Sequence, residues 1–128
     1  MMKVVDPGNL APDGFEAELS KCWDLLSFEV GAENEIWVEE HNITSEGLAW
    51  NGAEYHGGEL RMGITLFARD IDANVRYGRM NYWLLIALHE LAHVYYRQQM
   101  PEAALLDLGN ECDTIAHNTL RVYKEKYT

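Results

Sequence analysis

The chain has little positive charge: 10 lysines and arginines stand against 21 aspartates and glutamates, a formal charge of -11 at pH 7 over 128 residues. A surface that negative repels phosphate backbones, so no autonomous binding to nucleic acid or to anionic membrane is expected. Cysteine is scarce as well. Cys22 and Cys112 lie far apart and form no CxxC pair, so the chain has no disulfide framework and no zinc ribbon. Both fall on apolar sides of expected helices, as free buried thiols in a reducing compartment. Long hydrophobic runs are missing too, since "YWLLIAL" is far too short to span a bilayer. The start, "MMKVVDPGNLAPDG", has no apolar stretch of the kind a secretory signal needs. No repeat, linker or low-complexity tract divides the chain. The expectation is one cytoplasmic domain over residues 1–128, with 48% hydrophobic residues, enough for a single core.

What is present is a change of period along the chain. After a short irregular start, Asp13 is placed to cap a helix whose apolar residues Phe15, Leu19, Cys22, Trp23 and Leu26 recur at helical spacing. "EIWVEEHNI" reads as a strand, with Ile36 and Val38 on one face and Trp37 on the other. "GLAWNGAEYH" reads as a second, interrupted at Asn51-Gly52, and "ELRMGITLFARD" as a third, with Leu60, Met62, Ile64, Leu66 and Ala68 on one face. The short connections favour antiparallel neighbours. From about Asn81 to Gln99 neither Gly nor Pro interrupts, which predicts a central buried helix that Pro101 stops. A last helix runs from about Glu102 to Lys126, with a possible break at Leu108 to Asn110. The order is helix, three strands, helix, helix: an α+β domain with helices on one face of a small, mostly antiparallel sheet.

The central helix contains "ALHELAHVYY", which sets two histidines and a glutamate among residues suited to a core. His89 and His93 are four apart and so share one face, one turn from each other. Two imidazoles at that spacing converge on one ion, while Glu90 reaches a water beside the ion without ligating it. Zinc makes hydroxide available at neutral pH, and the glutamate accepts the proton and passes it on to a leaving amine. This is the H-E-x-x-H pattern of zinc-dependent proteases. Unpaired polar groups in so apolar a helix would each cost about 1–3 kcal/mol.

A catalytic zinc needs three protein ligands and an open position. "HELAHVYYRQQM" continues without a nearby third histidine, so the ligand must come from the last helix, where Asp107, Glu111, Asp113 and His117 are candidates. Leu108, Cys112, Ile115, Thr119, Val122 and Tyr123 form the expected inward stripe. Glu111 borders that stripe and is the favoured ligand, with Asp113 second and His117 third. Asp113 has an alternative role, accepting a histidine N–H and fixing its tautomer.

"HELAH" followed by "NECDTIAHNTL" resembles the gluzincin metallopeptidases, in which a glutamate on the helix after the motif completes the site. The element order is similar to their single-domain members, the minigluzincins, and "CDTIA" resembles a segment of the ImmA/IrrE-type peptidases of phages, mobile elements and stress-response loci. The resemblance implies a minimal zincin-like fold, Zn2+ as cofactor, His89 and His93 as ligands, Glu90 as general base and an acidic third ligand. The family's ligand glutamate precedes the C-N/D pair by three residues; that position here is Gly109. The resemblance also implies a strand, here "ELRMGITLFARD", that pairs with an extended peptide, and Arg61, Thr65 and Arg69 on its polar face could guide an acidic substrate. The leading expectation is a zinc endopeptidase acting on a peptide or protein. The alternative is a zinc-binding regulatory module of phage or mobile-element type with little or no turnover.

Overall fold

The residues described in the computed structural model are 2–26, 35–40, 45–51, 62–71, 78–100 and 107–127. The elements are strand β1 (Lys3–Val5), helix α1 (Phe15–Asp24), strands β2 (Glu35–Glu39), β3 (Gly47–Asn51) and β4 (Met62–Phe67), the single turn α2 (Ala68–Ile71), and helices α3 (Arg79–Gln99) and α4 (Gly109–Tyr127). The class is α+β, as expected. The sheet is not the expected one.

It has four strands in the order β1-β2-β4-β3. β1 pairs with β2 and β2 with β4 in parallel, and only β3 pairs with β4 antiparallel. Two physical reasons account for the difference. A strand of three residues, flanked by "DPG", carries no readable alternation, so Lys3–Val5 passes for irregular chain. Consecutive strands are neighbours only about two-thirds of the time, and here β4 slots between β2 and β3. The pairing of β3 with β4 is the antiparallel contact that was expected. β4 is thus an internal strand with both backbone edges bonded, and it offers none to a peptide. Of the expected polar face, Thr65 is fully buried, Arg69 is exposed in α2, and Arg61 lies outside the described residues.

Alternation positions the inward side chains. Ile36 and Val38 on β2, Ala49 on β3, and Ile64 and Leu66 on β4 are buried, and register pairs Ile36 with Ile64 and Ala49 with Ile64. α3 lies against this face. Trp83, Leu84, Leu88, Leu91 and Val94 are wholly buried, as expected of a helix apolar nearly all round. One cluster joins these residues to Phe15, Leu19 and Cys22 of α1, Ile71 of α2, and Ala116, Leu120 and Tyr123 of α4. Phe15 meets Trp83 edge to face at 5.5 Å, and the Tyr123 hydroxyl donates to Glu18 at 2.7 Å, tying α4 to α1. α1 begins after Gly14, whose φ of 81° a side chain would resist, rather than on an Asp13 side-chain cap. No described helix is long and apolar enough to cross a membrane.

Both cysteines are free and buried. Burial pushes each thiol from an ordinary 9.0 up to about 12. The folded chain therefore holds these protons more tightly than the unfolded one. That contribution is complete below pH 9 and is lost as pH climbs towards 12. Ellman's reagent at pH 8 should label neither thiol in the native protein and both in urea; rapid native labelling would contradict the burial. Truncating Ile64, fully buried at the middle of the sheet, to Ala should cost about 2–5 kcal/mol in urea unfolding. Leu48→Ala, at a side chain 41% exposed, should stay within about 0.5 kcal/mol.

Candidate metal centre

The centre is built on α3, which is rigid because its whole inward face is packed. His89 and His93 stack one turn apart, their ring centroids 4.8 Å from each other at 71°. Their Nε2 atoms are 3.2 Å apart. On the far side of the first ring, His89 Nδ1 donates to Asp113 Oδ1 at 2.7 Å. A carboxylate accepts and does not donate, so this bond places the His89 proton on Nδ1 and turns the Nε2 lone pair towards His93. Two nitrogens bound to one tetrahedral ion at about 2.0–2.1 Å stand about 3.3 Å apart. The observed separation fits that demand. His89, Glu90 and His93 together could hold a metal ion, their ligand atoms all lying within 4.8 Å of one another.

Glu90 is 8% exposed, and its Oε2 lies 3.9 Å from His89 Nε2. Burial pushes its pKa above the usual carboxylate range, against the opposing pull of His89, Arg97 and the Ala49 N–H that donates to it. His93 is shifted the other way. Burial, then the charges of His89 and Arg97, lower its pKa, while Asp113 and Asp107 oppose them. A neutral imidazole is the ligating form.

The sheet edge is fastened to this helix at one residue. The Ala49 N–H donates to Glu90, and the Ala49 C=O accepts from Arg97 Nη1 at 2.7 Å. Antiparallel ladders alternate, and the Phe67 N–H donates to the Glu46 C=O at 3.0 Å. Glu46, Leu48 and Trp50 therefore turn their backbone groups towards β4, and Gly47 and Ala49 turn theirs outwards. Glu90 also passes directly beneath β3. A Cβ on Gly47 would sit 2.9 Å from Glu90 Cγ and 3.3 Å from Ile86 Cγ2. Above the helix is an open pocket of about 300 Å³, floored by His89, Glu90 and Asp113 and walled by Ser45, Glu46, Gly47 and Ile86. Glu46 takes the Tyr82 hydroxyl on Oε1 at 2.8 Å, while its Oε2 is buried without a hydrogen-bond partner.

No known family, curated protein or solved structure matches the chain. The reading of the site therefore rests on its own geometry.

Of the residues singled out from the sequence, His89, Glu90 and His93 come together. Asp113 takes the accepting role on His89. Glu111 is exposed in the first turn of α4 and lies outside the group of converging ligand atoms, and His117 is exposed further along. Asp107 precedes α4 and accepts the Gly109 N–H at 3.2 Å. His41 and His56 lie outside the described residues. Sequence reasoning missed Gly47, Ala49 and Glu46, which reach the site only through strand pairing. Arg97 carried a signal: it is four residues after His93 and seven after Glu90, on one continuous stripe of α3.

Because Gly47 leaves the space that Glu90 occupies, Gly47→Ala should destabilise the protein by about 1–3 kcal/mol through overpacking. Equal urea midpoints for Gly47→Ala and wild type would show that Glu90 does not pack there.

Proposed function

We propose that the protein is a zinc-dependent peptidase that hydrolyses peptide bonds in the groove between β3 and α3. The observation that carries this reading is the pairing of a buried, backbone-bonded Glu90 with two imidazole nitrogens 3.2 Å apart, beside an open pocket that Glu90 and His89 line. His89 and His93 would hold the ion, together with an acidic residue from the region of α4; Glu111 is the ligand favoured by the sequence. Zinc is the choice of metal because imidazole and carboxylate donors suit it. When bound, it supplies a Lewis acid that acidifies water and polarises a carbonyl.

The chain's own groups supply the rest. Glu90 takes the proton of the attacking water; its carboxyl is a stronger base than an exposed one because burial disfavours its charged form. The Ala49 N–H keeps the carboxylate from swinging away, and after attack the proton passes from Glu90 to the departing nitrogen. Asp113 holds the His89 ring in one tautomer. A substrate in extended form would pair with the outward N–H and C=O of Gly47, so the pairing strand is β3 and not the "ELRMGITLFARD" segment. Over so open a pocket, turnover of general substrates should be slow.

A second reading has one observation in its favour. Gly109, at the position where the resemblance implies a ligand glutamate, has no donor, which suits a zinc-binding regulatory module with little turnover.

Zinc content and cleavage of a denatured protein should be measured on wild type beside Glu90→Gln. The variant should retain zinc and lose at least about 10²-fold in rate, the usual share of a general base. Full activity in Glu90→Gln would remove the assigned role, and zinc without cleavage in wild type would select the regulatory module.

A further inference from the structure

We propose that Arg97 is a positioning residue of the candidate site: its guanidinium latches β3 over α3 at Ala49, and so aligns the backbone edge at Gly47 with Glu90 for an extended peptide. This rests on the peptidase reading above and concerns what holds the substrate's pairing edge in place.

β3 needs such a latch because of where it lies. It is bonded to β4 on one side and, among the described residues, to no strand on the other. Ladder bonds run in the plane of a sheet, so they set the spacing of β3 from β4 and not its height above α3. Two contacts, two residues apart, supply that height. At Gly47 the strand is stopped from below. A Cβ there would sit 2.9 Å from Glu90 Cγ and 3.3 Å from Ile86 Cγ2, so the backbone rests on these side chains without room for one of its own. At Ala49 the strand is drawn down, because its C=O accepts from Arg97 Nη1 at 2.7 Å. A stop and a latch together leave the strand one height.

The latch is carried by the same rigid element as the base. Arg97 follows Glu90 by seven residues, two turns of α3 and about 20° off the same line. Its bond to the carbonyl is charge-assisted, and so stronger than a neutral ladder bond. The side chain is half-buried and belongs neither to the core cluster nor to the residues packed against it. Its hydrogen bond is therefore directed at one strand residue, and its removal should shift the edge without unfolding the sheet. Gly47, which an extended peptide would pair with, would then no longer be held over Glu90.

The test uses the full chain with Arg97→Ala and Arg97→Lys, the second retaining a charged donor for a bond that needs only one. Native-state amide exchange supplies a readout that requires no activity. In Arg97→Ala the Ala49 N–H should exchange about tenfold faster or more, while the Leu48 N–H, turned towards Thr65 of β4, should keep its wild-type rate. Arg97→Lys should restore most of the Ala49 protection. The second readout is zinc content together with kcat/KM on a denatured protein. Arg97→Ala should keep wild-type zinc content and lose about 10²-fold in kcat/KM, the scale of a misplacement of about 1 Å, and Arg97→Lys should recover much of it. An unchanged Ala49 rate would overturn the latch, and so would equal acceleration at Ala49 and Leu48, which marks a loosened sheet. Faster Ala49 exchange with wild-type kcat/KM would overturn the positioning role. A wild type that binds zinc and cleaves nothing would remove the peptidase reading, while the exchange rates would still decide whether Arg97 holds β3.

Discussion

Ala49 is held at both of its backbone groups by one helix: its N–H by Glu90 and its C=O by Arg97 at 2.7 Å. The two side chains are seven residues apart on α3, two turns of one stripe, so the rigid helix sets their spacing and the strand has to conform. Everything at the site follows from that attachment. It fixes the distance between sheet edge and helix, leaves no room for a side chain at position 47, and turns the Gly47 backbone groups towards a groove where, among the described residues, β3 has no partner strand. A charge-assisted bond from a guanidinium to a carbonyl, in a partly buried setting, is stronger than the ordinary ladder bonds beside it.

The same attachment resolves an electrostatic conflict. A carboxylate beneath a strand is costly to ionise, and burial accordingly raises the Glu90 pKa. Arg97 offsets this cost from a distance while its own hydrogen bond is spent on Ala49, so it steadies the Glu90 charge without occupying the carboxylate oxygens. Burial lowers the His93 pKa, and His89 is turned by Asp113 so that a lone pair faces inwards. A buried carboxyl, a buried ring of lowered pKa and an oriented ring are three separate departures from what stability alone would favour, gathered within 4.8 Å. Perturbed groups that cluster beside a pocket are the pattern expected of a functional site.

Much of this was legible in the chain, and the gaps have definite causes. The α3 helix, its buried character and the two-histidine face follow from a 3.6-residue period over 21 residues, a long and consistent signal. The faces of β2 and β4 follow from strict alternation at Ile36, Val38, Ile64 and Leu66. β1 was invisible because three residues hold no period, and the position of β4 between β2 and β3 is decided by packing across the sheet. The phase of α4 was read from a stripe that included Ile115 and Val122, both only half-buried. The true inward residues are Cys112, Ala116, Thr119, Leu120 and Tyr123. With Ala116 and Leu120 inside, the buried stripe shifts by part of a turn, and Asp113 rather than Glu111 is the carboxylate that meets the histidine. A helix 19 residues long with apolar residues spread round it fixes its own existence better than its rotation.

α4 presents Asp113 to His89, and its first turn is stabilised from outside by Asp107, whose carboxylate accepts the Gly109 N–H. A helix start with exposed donors and a glycine as its first residue is intrinsically weak.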